Sequence, residues 1–388
     1  MKVFLLKPGE ITLKAGNKAF FEKVLCHNLA AMLKGSGARI TRQDGRFFVR
    51  CEEPARVEAA LPRLAGITGW AQAAVTEKTM EAILDAAVSE AKKAAAAGHT
   101  SFKVEARRAD KSFPLTSHDI NRAAGEAVLE ALPALKVNVR EPGFTLRIEI
   151  RDKAYVYGAE KRGIRGLPSG TAGRGLLLLS GGIDSPVAGF MMAARGMSLA
   201  ALYFHAYPYT SDEAKEKVIT LAAILREYTI NLKLYVLSVT EIQRRIKEGA
   251  PEEWATVLLR MAMMEAATVL ARYDKCKCII TGESLAQVAS QTIDNITCTE
   301  SRAGLPVLRP LIGMDKEDIT KKAIDIGTYQ TSILPHNDCC SLFSPVHPIL
   351  HGSLEEASAI YSALNLTPLI EEALNTRETH KGRAEQMA

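Results

Sequence analysis

The chain has 388 residues, which at about 100–200 residues per domain predicts two to four domains. Its composition, 47% apolar and 24% charged, is typical of a soluble globular protein. No run approaches the ~18 apolar residues of a membrane span, and Lys7 and Glu10 interrupt any signal-peptide apolar region. We therefore expect a cytoplasmic protein with no membrane partner. Seven cysteines, an odd number in a long chain, argue against a disulfide scaffold.

The basic residues are concentrated in the first part of the chain. Residues 1–171 hold 28 Lys+Arg and 19 Asp+Glu, a net charge of +9. Residues 172–388 hold 21 and 25, a net charge of −4. This asymmetry predicts that the first part binds a polyanion while the second part does something else. The alternative is that the basic excess only forms a solvated surface.

The first part of the chain predicts short strands and helices in alternation. Asp44-Gly45 is a hairpin signal between two strand-like runs. Ser117 is the expected N-cap of the helix that follows the cationic stretch ARRADKSF. The other predicted elements are a strand over 3–6, helices over 17–33, 55–65 and 77–97, a strand beginning at 101, and strands over 144–152 and 154–161.

A Gly/Pro/Ser-rich joint over 163–175 marks the best domain boundary, and the pattern changes after it. Short apolar strands then alternate with helices, which predicts a parallel sheet covered on both faces. In such sheets ligands bind at the carboxyl ends of the strands. Among these elements we expect a helix over 284–291, and a polar, frayed tail after Glu372.

The strongest chemical signal is LLLLSGGIDSPVAGFMM, residues 176–192. An apolar strand stops at Ser180-Gly181-Gly182, and Asp184 and Ser185 open a helix. Paired glycines let backbone N–H groups approach a phosphate, and the helix N-terminus adds free donors and partial positive charge. The loop has neither the Gly-Lys-Ser/Thr of a Walker A motif nor the GxGxxG fingerprint. The alternative is an ordinary capped strand–turn–helix joint.

SGGIDS resembles the pyrophosphate (PP) loop of enzymes that cleave ATP between its α and β phosphates and adenylate a substrate. SFKVEARRADKSFPLTSHDINR resembles the THUMP RNA-binding domain, which accompanies this loop in tRNA 4-thiouridine synthetases, the ThiI family. GESLAQVASQT, PVLRPLIGMDKEDI and the DCC of NDCCSLF resemble further segments of that family. Together these segments cover nearly the whole chain, and they follow one another in the same order as in the family.

The resemblance implies an α/β fold class with three folded domains. They are a ferredoxin-like α+β domain, a THUMP α/β domain and a Rossmann-like parallel-sheet PP-loop domain of the adenine nucleotide alpha hydrolase type. The implied segments are a ferredoxin-like domain over 1–57, a THUMP domain over 58–162, a linker over 163–175, a PP-loop domain over 176–372 and a polar tail over 373–388.

The activity implied by the resemblance is ATP-dependent tRNA thiolation. ATP with Mg²⁺ activates the C4 oxygen of a uridine at tRNA position 8, and AMP leaves as sulfur replaces that oxygen. The implied partners are tRNA and a cysteine desulfurase or another sulfur donor, and family members raise the expectation of a homodimer. The sulfur is also expected to feed thiazole formation in thiamine synthesis.

Matching the family's motifs residue by residue implies a nucleotide site. Asp184 is the member of the loop expected to be essential, and Lys316 matches a lysine that the family needs, whose charge would stabilise the pentavalent α-phosphate. The alternative on sequence alone is that Lys316 is an ordinary helix-start surface lysine and that Tyr203 and Phe204 are core aromatics. The implied ATP-binding residues are Leu178, Leu179, Ser180, Gly181, Gly182, Asp184, Ser185, Tyr203, Phe204, Arg260, Gly282 and Gln291.

Sulfur transfer requires an exposed thiolate with a lowered pKa, and the family's sulfur-handling cysteine aligns with Cys340. Cys339 is then a helper or a bystander. The chain ends before a C-terminal rhodanese domain could fit, so the immediate sulfur carrier stays open between Cys340, a separate protein, free sulfide and an iron–sulfur cluster. The weak candidates for cluster ligands are Cys276, Cys278, Cys339 and Cys340, and no metal site is firm. Cys276 and Cys278, predicted to share one strand face, are expected to be packing residues.

Basic residues inside the THUMP-like stretch and before the joint are the candidate RNA contacts. They are Arg107, Arg108, Lys111, Arg122, Lys161 and Arg162, with Arg165 beside them. Contacts of this kind give affinity and register rather than sequence information, so we expect selection of tRNA by acceptor-stem shape. Two rival functions remain. One is a loop enzyme that adenylates a small molecule, as GMP and argininosuccinate synthetases do, and the other is a non-catalytic RNA-binding protein.

Overall fold

A computed structural model describes residues 2–43, 45–336 and 345–381. The chain divides into two compact units, Met1–Leu167 and Pro168–Ala388. The division lies inside the predicted joint. Cys339 and Cys340 lie outside the described residues.

Unit 1 combines strands and helices as the alternating pattern predicts. Its strands are β1 Lys2–Pro8, β2 Arg39–Gln43, β3 Arg46–Cys51, β4 Ile67–Thr76, β5 Ser101–Arg108, β6 Lys136–Val137, β7 Phe144–Ile150, β8 Ala154–Tyr157 and β9 Lys161–Arg162. Its helices are α1 Lys18–Met32, α2 Pro54–Ala60, α3 Met80–Ala96 and α4 Ser117–Ala131, with 3₁₀ turns at Glu10–Leu13 and Leu61–Arg63.

One long strand joins the two halves of this unit. The sheet runs β2-β3-β1-β4-β8-β7-β5-β6, with β9 also on β4. The first part of β4 pairs antiparallel with β1, whereas Ala74–Thr76 pairs with β8. One apolar core includes Phe4 and Leu25 and another includes Phe102 and Ile120, while a third, smaller cluster on the sheet joins Leu5 to Tyr155. The predicted boundary at 57/58 therefore precedes the strand that both halves use.

The cap of α4 differs from the prediction. Thr116, not Ser117, is the N-cap, and its hydroxyl accepts from the Asp119 backbone N–H (3.2 Å). The Asp119 carboxylate in turn accepts from the Thr116 backbone N–H (3.0 Å), which completes a capping box. The Thr-x-x-Asp spacing satisfies two free backbone donors at once, which a cap at Ser117 would not do.

Unit 2 is built from alternating strands and helices. Its strands are β10 Arg174–Leu178, β11 Ser198–His205, β12 Lys233–Ser238, β13 Cys278–Ile280, β14 Val307–Leu308 and β15 Glu378–His380. Its helices are α5 Asp184–Ala194, α6 Asp212–Thr229, α7 Thr240–Gly249, α8 Ala255–Tyr273, α9 Ile293–Glu300, α10 Lys316–Asp325, α11 Tyr329–Ser332, α12 Leu354–Leu364 and α13 Thr367–Asn375, with 3₁₀ turns at Glu252–Trp254 and Ala289–Gln291.

The sheet of unit 2 confirms the predicted doubly covered parallel architecture. Its order is β14-β13-β10-β11-β12-β15, and every pair except β12–β15 is parallel. One apolar core packs α8 against one face, and a second core packs α5 and α6 against the other. The helical segment Glu252–Tyr273 is long and apolar enough to cross a membrane. However, 72% of its most apolar 18-residue stretch is buried inside the unit, as in a core helix.

Two predicted elements of unit 2 are wrong. The segment 284–291 is not a helix: the next α-helix begins at Ile293, where the Thr292 hydroxyl accepts from the Asn295 backbone N–H (3.3 Å). The tail beyond Glu372 is not frayed over its described part, because α13 continues to Asn375 and β15 pairs antiparallel with β12. Backbone hydrogen bonds to an open sheet edge hold β15, and a polar side-chain pattern does not reveal them.

Candidate active site

The loop after β10 is held by its own side chains. The Ser180 backbone N–H donates to Ser185 Oγ (2.9 Å), and the Gly182 N–H donates to Ser180 Oγ (3.2 Å). Ser332 Oγ, at the end of α11, donates to the Gly182 carbonyl (3.2 Å). The loop is thus shaped before any ligand arrives, with the N-terminus of α5 directly behind it.

Gly282, directly after Thr281 at the end of β13, approaches this loop closely. A Cβ at Gly282 would lie 2.7 Å from the Ser185 backbone N and 2.8 Å from its Cα. Real Cβ atoms do not approach backbone so closely, so any side chain here would push β13 away from the start of α5. The absence of a side chain at Gly282 is therefore what lets the two segments meet.

We expect Gly282→Ala to weaken nucleotide binding roughly tenfold or more, because the added methyl displaces the N-terminus of α5. The dissociation constant for ATP, measured by calorimetry, tests this. Gly313→Ala is the matched control, since a Cβ there meets nothing within 4 Å. Equal ATP affinity of the Gly282→Ala protein and the control would contradict this explanation.

A cavity of about 250 Å³ opens at the carboxyl ends of β10, β11 and β13. Every residue predicted to bind ATP lines it except Gly181, whose neighbours on both sides do. The structure thus brings together positions that are up to about 110 residues apart in the chain. Lining residues that sequence reasoning missed are Leu202, Met263, Met264, Thr281, Glu283 and Thr299. For Met263 and Met264 a signal was available, because they follow Arg260 at helical spacing on α8.

The two aromatics at the end of β11 serve the core as well as the cavity. Tyr203 and Phe204 are 2% and 6% exposed. Tyr203 packs in the core under α5 and α6, and Phe204 in the core under α8. Successive residues of a strand point to opposite faces, so the two rings are core residues on opposite faces of the sheet and both also line the cavity.

Arg260 is tied into a buried ion cluster. Its guanidinium contacts the Glu283 carboxylate and donates to Ser290 Oγ (3.0 Å). Arg309 Nε donates to the same carboxylate (2.7 Å), as does Thr281 Oγ1 (2.8 Å). Burial raises the pKa of Glu283, but the charges of Arg260 and Arg309 outweigh it and hold that pKa below its usual value. Glu283 therefore stays ionised and fixes Arg260 at the cavity wall.

Gln291 offers the cavity an unused acceptor. Its side chain is 9% exposed, and within the part of the chain that the structure describes its buried Oε1 has no hydrogen-bond partner. A buried amide oxygen without a donor is costly, and an N–H of a bound ligand would satisfy it. An exocyclic amine such as that of adenine has this chemistry.

Asp184 and Lys316, predicted separately, form a pair. Lys316 begins α10, and its Nζ lies 2.5 Å from Asp184 Oδ1. Gln287 Nε2 donates to the other carboxylate oxygen (3.0 Å). The pair lies beside the phosphate loop, so a cation is held where a polyphosphate would bind.

The two described thiols that had been weak cluster candidates do not fit that role. Cys276 and Cys278 are buried, and burial raises the pKa of each to about 11. They do not share a face as predicted: Cys276 belongs to the core under α8 and Cys278 to the core under α5. The physical reason is that Cys276 precedes β13, so strand alternation does not extend to it. Within residues 2–43, 45–336 and 345–381 there is no group of three or more His, Cys, Asp or Glu that could hold a metal.

Most candidate RNA contacts in unit 1 are exposed. These are Arg107, Lys111, Arg122, Lys161 and Arg162, as is Arg165. Arg108 is different, since it is half-buried and its Nη1 donates to the Phe113 carbonyl (2.8 Å), which holds the turn after β5. Lys161 lies over the Trp70 ring (4.8 Å to the centroid). Arg107 lies near the end of β5, Lys111 in the turn after it and Arg122 on α4. The helix α4 is tied to β5 where Asn121 Oδ1 accepts from the Ala106 N–H (2.6 Å).

Family models match three successive parts of the chain. A ferredoxin-like domain model of ThiI matches residues 3–73, and a THUMP domain model matches residues 77–158. The model described as thiamine biosynthesis protein (ThiI) matches residues 170–366.

Relatives are similar over nearly their whole length. A probable tRNA sulfurtransferase of Treponema pallidum (strain Nichols) is 49% identical over 380 residues, 97% of this chain and 94% of the relative. Another of Clostridium kluyveri is 44% identical over 369 residues, 94% of this chain and 95% of the relative. A solved 4-thiouridine synthetase–RNA complex with bound ATP has a TM-score of 0.91 at 32% identity, covering 98% of this chain and 99% of that one. PH1313 from Pyrococcus horikoshii has a TM-score of 0.66 at 26% identity, covering 84% and 100%.

Proposed function

Because the chain belongs to the ThiI family, we propose that it is an ATP-dependent tRNA sulfurtransferase that converts a tRNA uridine to 4-thiouridine. The observation that carries the proposal is the cavity at the strand ends, which gathers the predicted ATP-binding residues around a preformed phosphate loop. The target at tRNA position 8, the supply of sulfur for thiamine synthesis and a homodimer are further parts of the proposal that rest on the family resemblance. A cytoplasmic location is also part of the proposal, because tRNA would be the substrate.

The first chemical step is adenylation of the base. The uridine O4 attacks the α-phosphorus of ATP, the O4–P bond forms, and the bond to the β-phosphate oxygen breaks as pyrophosphate leaves. The loop N–H groups and the N-terminus of α5 would hold the phosphates. Lys316 Nζ, kept beside the loop by Asp184 (2.5 Å), would stabilise the charge that develops on the α-phosphate.

The cavity fits adenosine triphosphate in its polar groups. Gln291 Oε1 is a buried acceptor that an adenine amine can satisfy, and Arg260 is held at the wall by Glu283. Among the described lining residues Asp184 and Glu283 are the carboxylates, and Glu283 is bound by two arginines. Asp184 is paired with Lys316 (2.5 Å). Mg²⁺ would therefore be held mainly by the phosphates, whose charge it would neutralise, and Asp184 would be shared between the metal and Lys316.

The second step replaces oxygen by sulfur at C4. The outer sulfur of a cysteine persulfide attacks C4, and the C4–O bond breaks as AMP leaves. A second thiol then attacks the inner sulfur, so that the S–S bond breaks, the outer sulfur stays on C4, and the disulfide that forms is reduced by an external thiol. We propose Cys340 as the thiol that handles this sulfur, with a cysteine desulfurase as the source. Support for this role comes from the motif match alone, because Cys340 lies outside the described residues.

Exposed basic residues of unit 1 are proposed to bind tRNA phosphates. Each of Arg107→Ala, Lys111→Ala and Arg122→Ala is expected to reduce the slope of log affinity against log salt by about 0.9 if it removes one duplex phosphate contact. Filter binding of unmodified tRNA over a salt series measures this slope. Lys247→Ala, which removes an exposed charge from unit 2, is the control. Unchanged slopes in all three variants would remove this surface from the RNA site.

The proposed function is tested with purified protein, ATP, a cysteine desulfurase with cysteine, and an unmodified tRNA transcript. Nuclease digestion and mass spectrometry should detect 4-thiouridine with ATP and none without it. If none forms, the assay is repeated without oxygen, with sulfide and reconstituted iron, which tests the sulfide and cluster routes. Failure under both conditions would favour an enzyme that adenylates a small molecule.

A further inference from the structure

A second cavity of about 330 Å³ opens in unit 2 at the carboxyl ends of β11 and β12. None of the residues matched to the nucleotide site lines it. Its walls come from the end of β11, the first turn of α6, the end of β12 and the segment leading into β15. The residues that matter here are His205, Tyr207, Asp212, Lys215, Ser238 and Glu378.

The second cavity is a neighbour of the nucleotide cavity along β11. Tyr203 and Phe204 line the nucleotide cavity, and His205 and Tyr207 line the second one. The ring centroids of Tyr203 and His205 are 5.9 Å apart, and those of His205 and Tyr207 are 6.4 Å apart. These three rings, each two residues from the next, form a row along β11. Because a strand advances by roughly 3.3 Å per residue, the length of this row is comparable to that of a nucleoside.

The side chains that line the second cavity suit a flat, uncharged ring that carries both hydrogen-bond donors and acceptors. Tyr207 is 61% exposed, so its ring offers a free face for stacking. The Asp212 carboxylate can accept the N3–H of a uracil. The Ser238 hydroxyl and the Lys215 ammonium can donate to its O2.

The same groups disfavour an anion such as a phosphate. Lys215 Nζ is already paired with Glu378 Oε1 (3.2 Å), so its charge is balanced within the wall. Asp212 adds a further negative charge. A second polyphosphate or a nucleic-acid backbone would meet net repulsion here, whereas an uncharged base would not.

We propose that this second cavity receives the uracil that is to be thiolated, turned out of the tRNA and stacked on Tyr207. The inference rests on the proposed function and names the place of its substrate base. Enzymes that act on a base take it out of the stack and read its edge by hydrogen bonds in a pocket. The rings of Tyr203, His205 and Tyr207 form a row along β11, so the uracil cavity and the nucleotide cavity lie side by side.

The test compares Tyr207→Ala with Tyr209→Ala, a nearby tyrosine that is 56% exposed and does not line the cavity. Tyr207→Ala should lower kcat/KM for tRNA thiolation by about 10- to 100-fold, the effect of losing one base–aromatic stack. ATP affinity should stay within about twofold and overall tRNA affinity within about threefold, because phosphate contacts dominate RNA affinity. Tyr207→Phe should restore the rate, and Tyr209→Ala should keep it. Wild-type thiolation by Tyr207→Ala overturns the proposal.

A second readout uses the product itself as the probe. 4-Thiouridine crosslinks to contacting side chains under near-ultraviolet light, so tRNA bearing it at the target position is irradiated with the wild-type protein. Crosslinked peptides containing residues 205–215, 236–238 or 376–378 support the uracil site. Crosslinks only elsewhere, or none above the dark control, overturn it while leaving the sulfurtransferase proposal intact. Loss of thiolation by the wild-type protein would instead reject the proposed function.

Discussion

Replacing Asp184 with alanine is expected to lower tRNA thiolation by about 100- to 1,000-fold, the range seen when one charge-stabilising group is removed from a transition state. Asp184 is the first residue of α5 and holds Lys316 Nζ at 2.5 Å beside the phosphate loop. Without the carboxylate, Lys316 loses its anchor and any Mg²⁺ loses its available protein ligand. Both adenylation and sulfur transfer should fail. Release of labelled pyrophosphate and formation of 4-thiouridine measure the two steps.

Two further variants separate this role from a loss of folding. Lys316→Ala should reproduce the loss of pyrophosphate release, because it removes the other member of the pair. Asp325→Ala, an exposed acidic residue at the end of α10, should behave as wild type. Thermal unfolding of all three proteins should show similar midpoints. Normal pyrophosphate release by Asp184→Ala would contradict the proposed role of the Asp184–Lys316 pair in adenylation.

Cys340→Ser is expected to abolish sulfur transfer while sparing ATP- and tRNA-dependent adenylation. A serine hydroxyl can neither carry a persulfide nor attack one, so the adenylated uridine would form and receive no sulfur. The measurement is pyrophosphate release alongside 4-thiouridine content in the same reaction. Cys339→Ser is the neighbouring control and should retain thiolation. Thiolation by Cys340→Ser would remove that thiol from the mechanism and direct attention to an external sulfur donor.

Local sequence determined the strand–loop–helix at the phosphate loop. Paired glycines, two serines whose hydroxyls bond within the loop and an apolar strand act within about ten residues, so local sequence is enough to specify the turn. The alternation of apolar strands with helices likewise determined the parallel sheet, because a strand buried on both faces must be apolar throughout. The motif match then placed Arg260, Gly282 and Gln291 at the same cavity.

Contacts between distant segments were decided only by the tertiary structure. Glu283 becomes the partner of Arg260 and Arg309 only when α8, β13 and the segment after β14 meet. Position 282 has to be glycine because a Cβ there would lie 2.7 Å from the backbone N of Ser185. That residue lies almost a hundred positions earlier in the chain, so no local pattern reveals the contact.

Two further features depend on where each strand of the sheet begins and on which strand pairs at its edge. Cys276 and Cys278 separate into different cores because β13 starts at the second of them. The β15 strand, polar in sequence, pairs with the open edge of β12 and so brings Glu378 to the wall of the second cavity. Local patterns determine how each segment folds, since they act through neighbouring residues. Burial, charge pairing and edge pairing depend on which segments pack together, which no local pattern specifies.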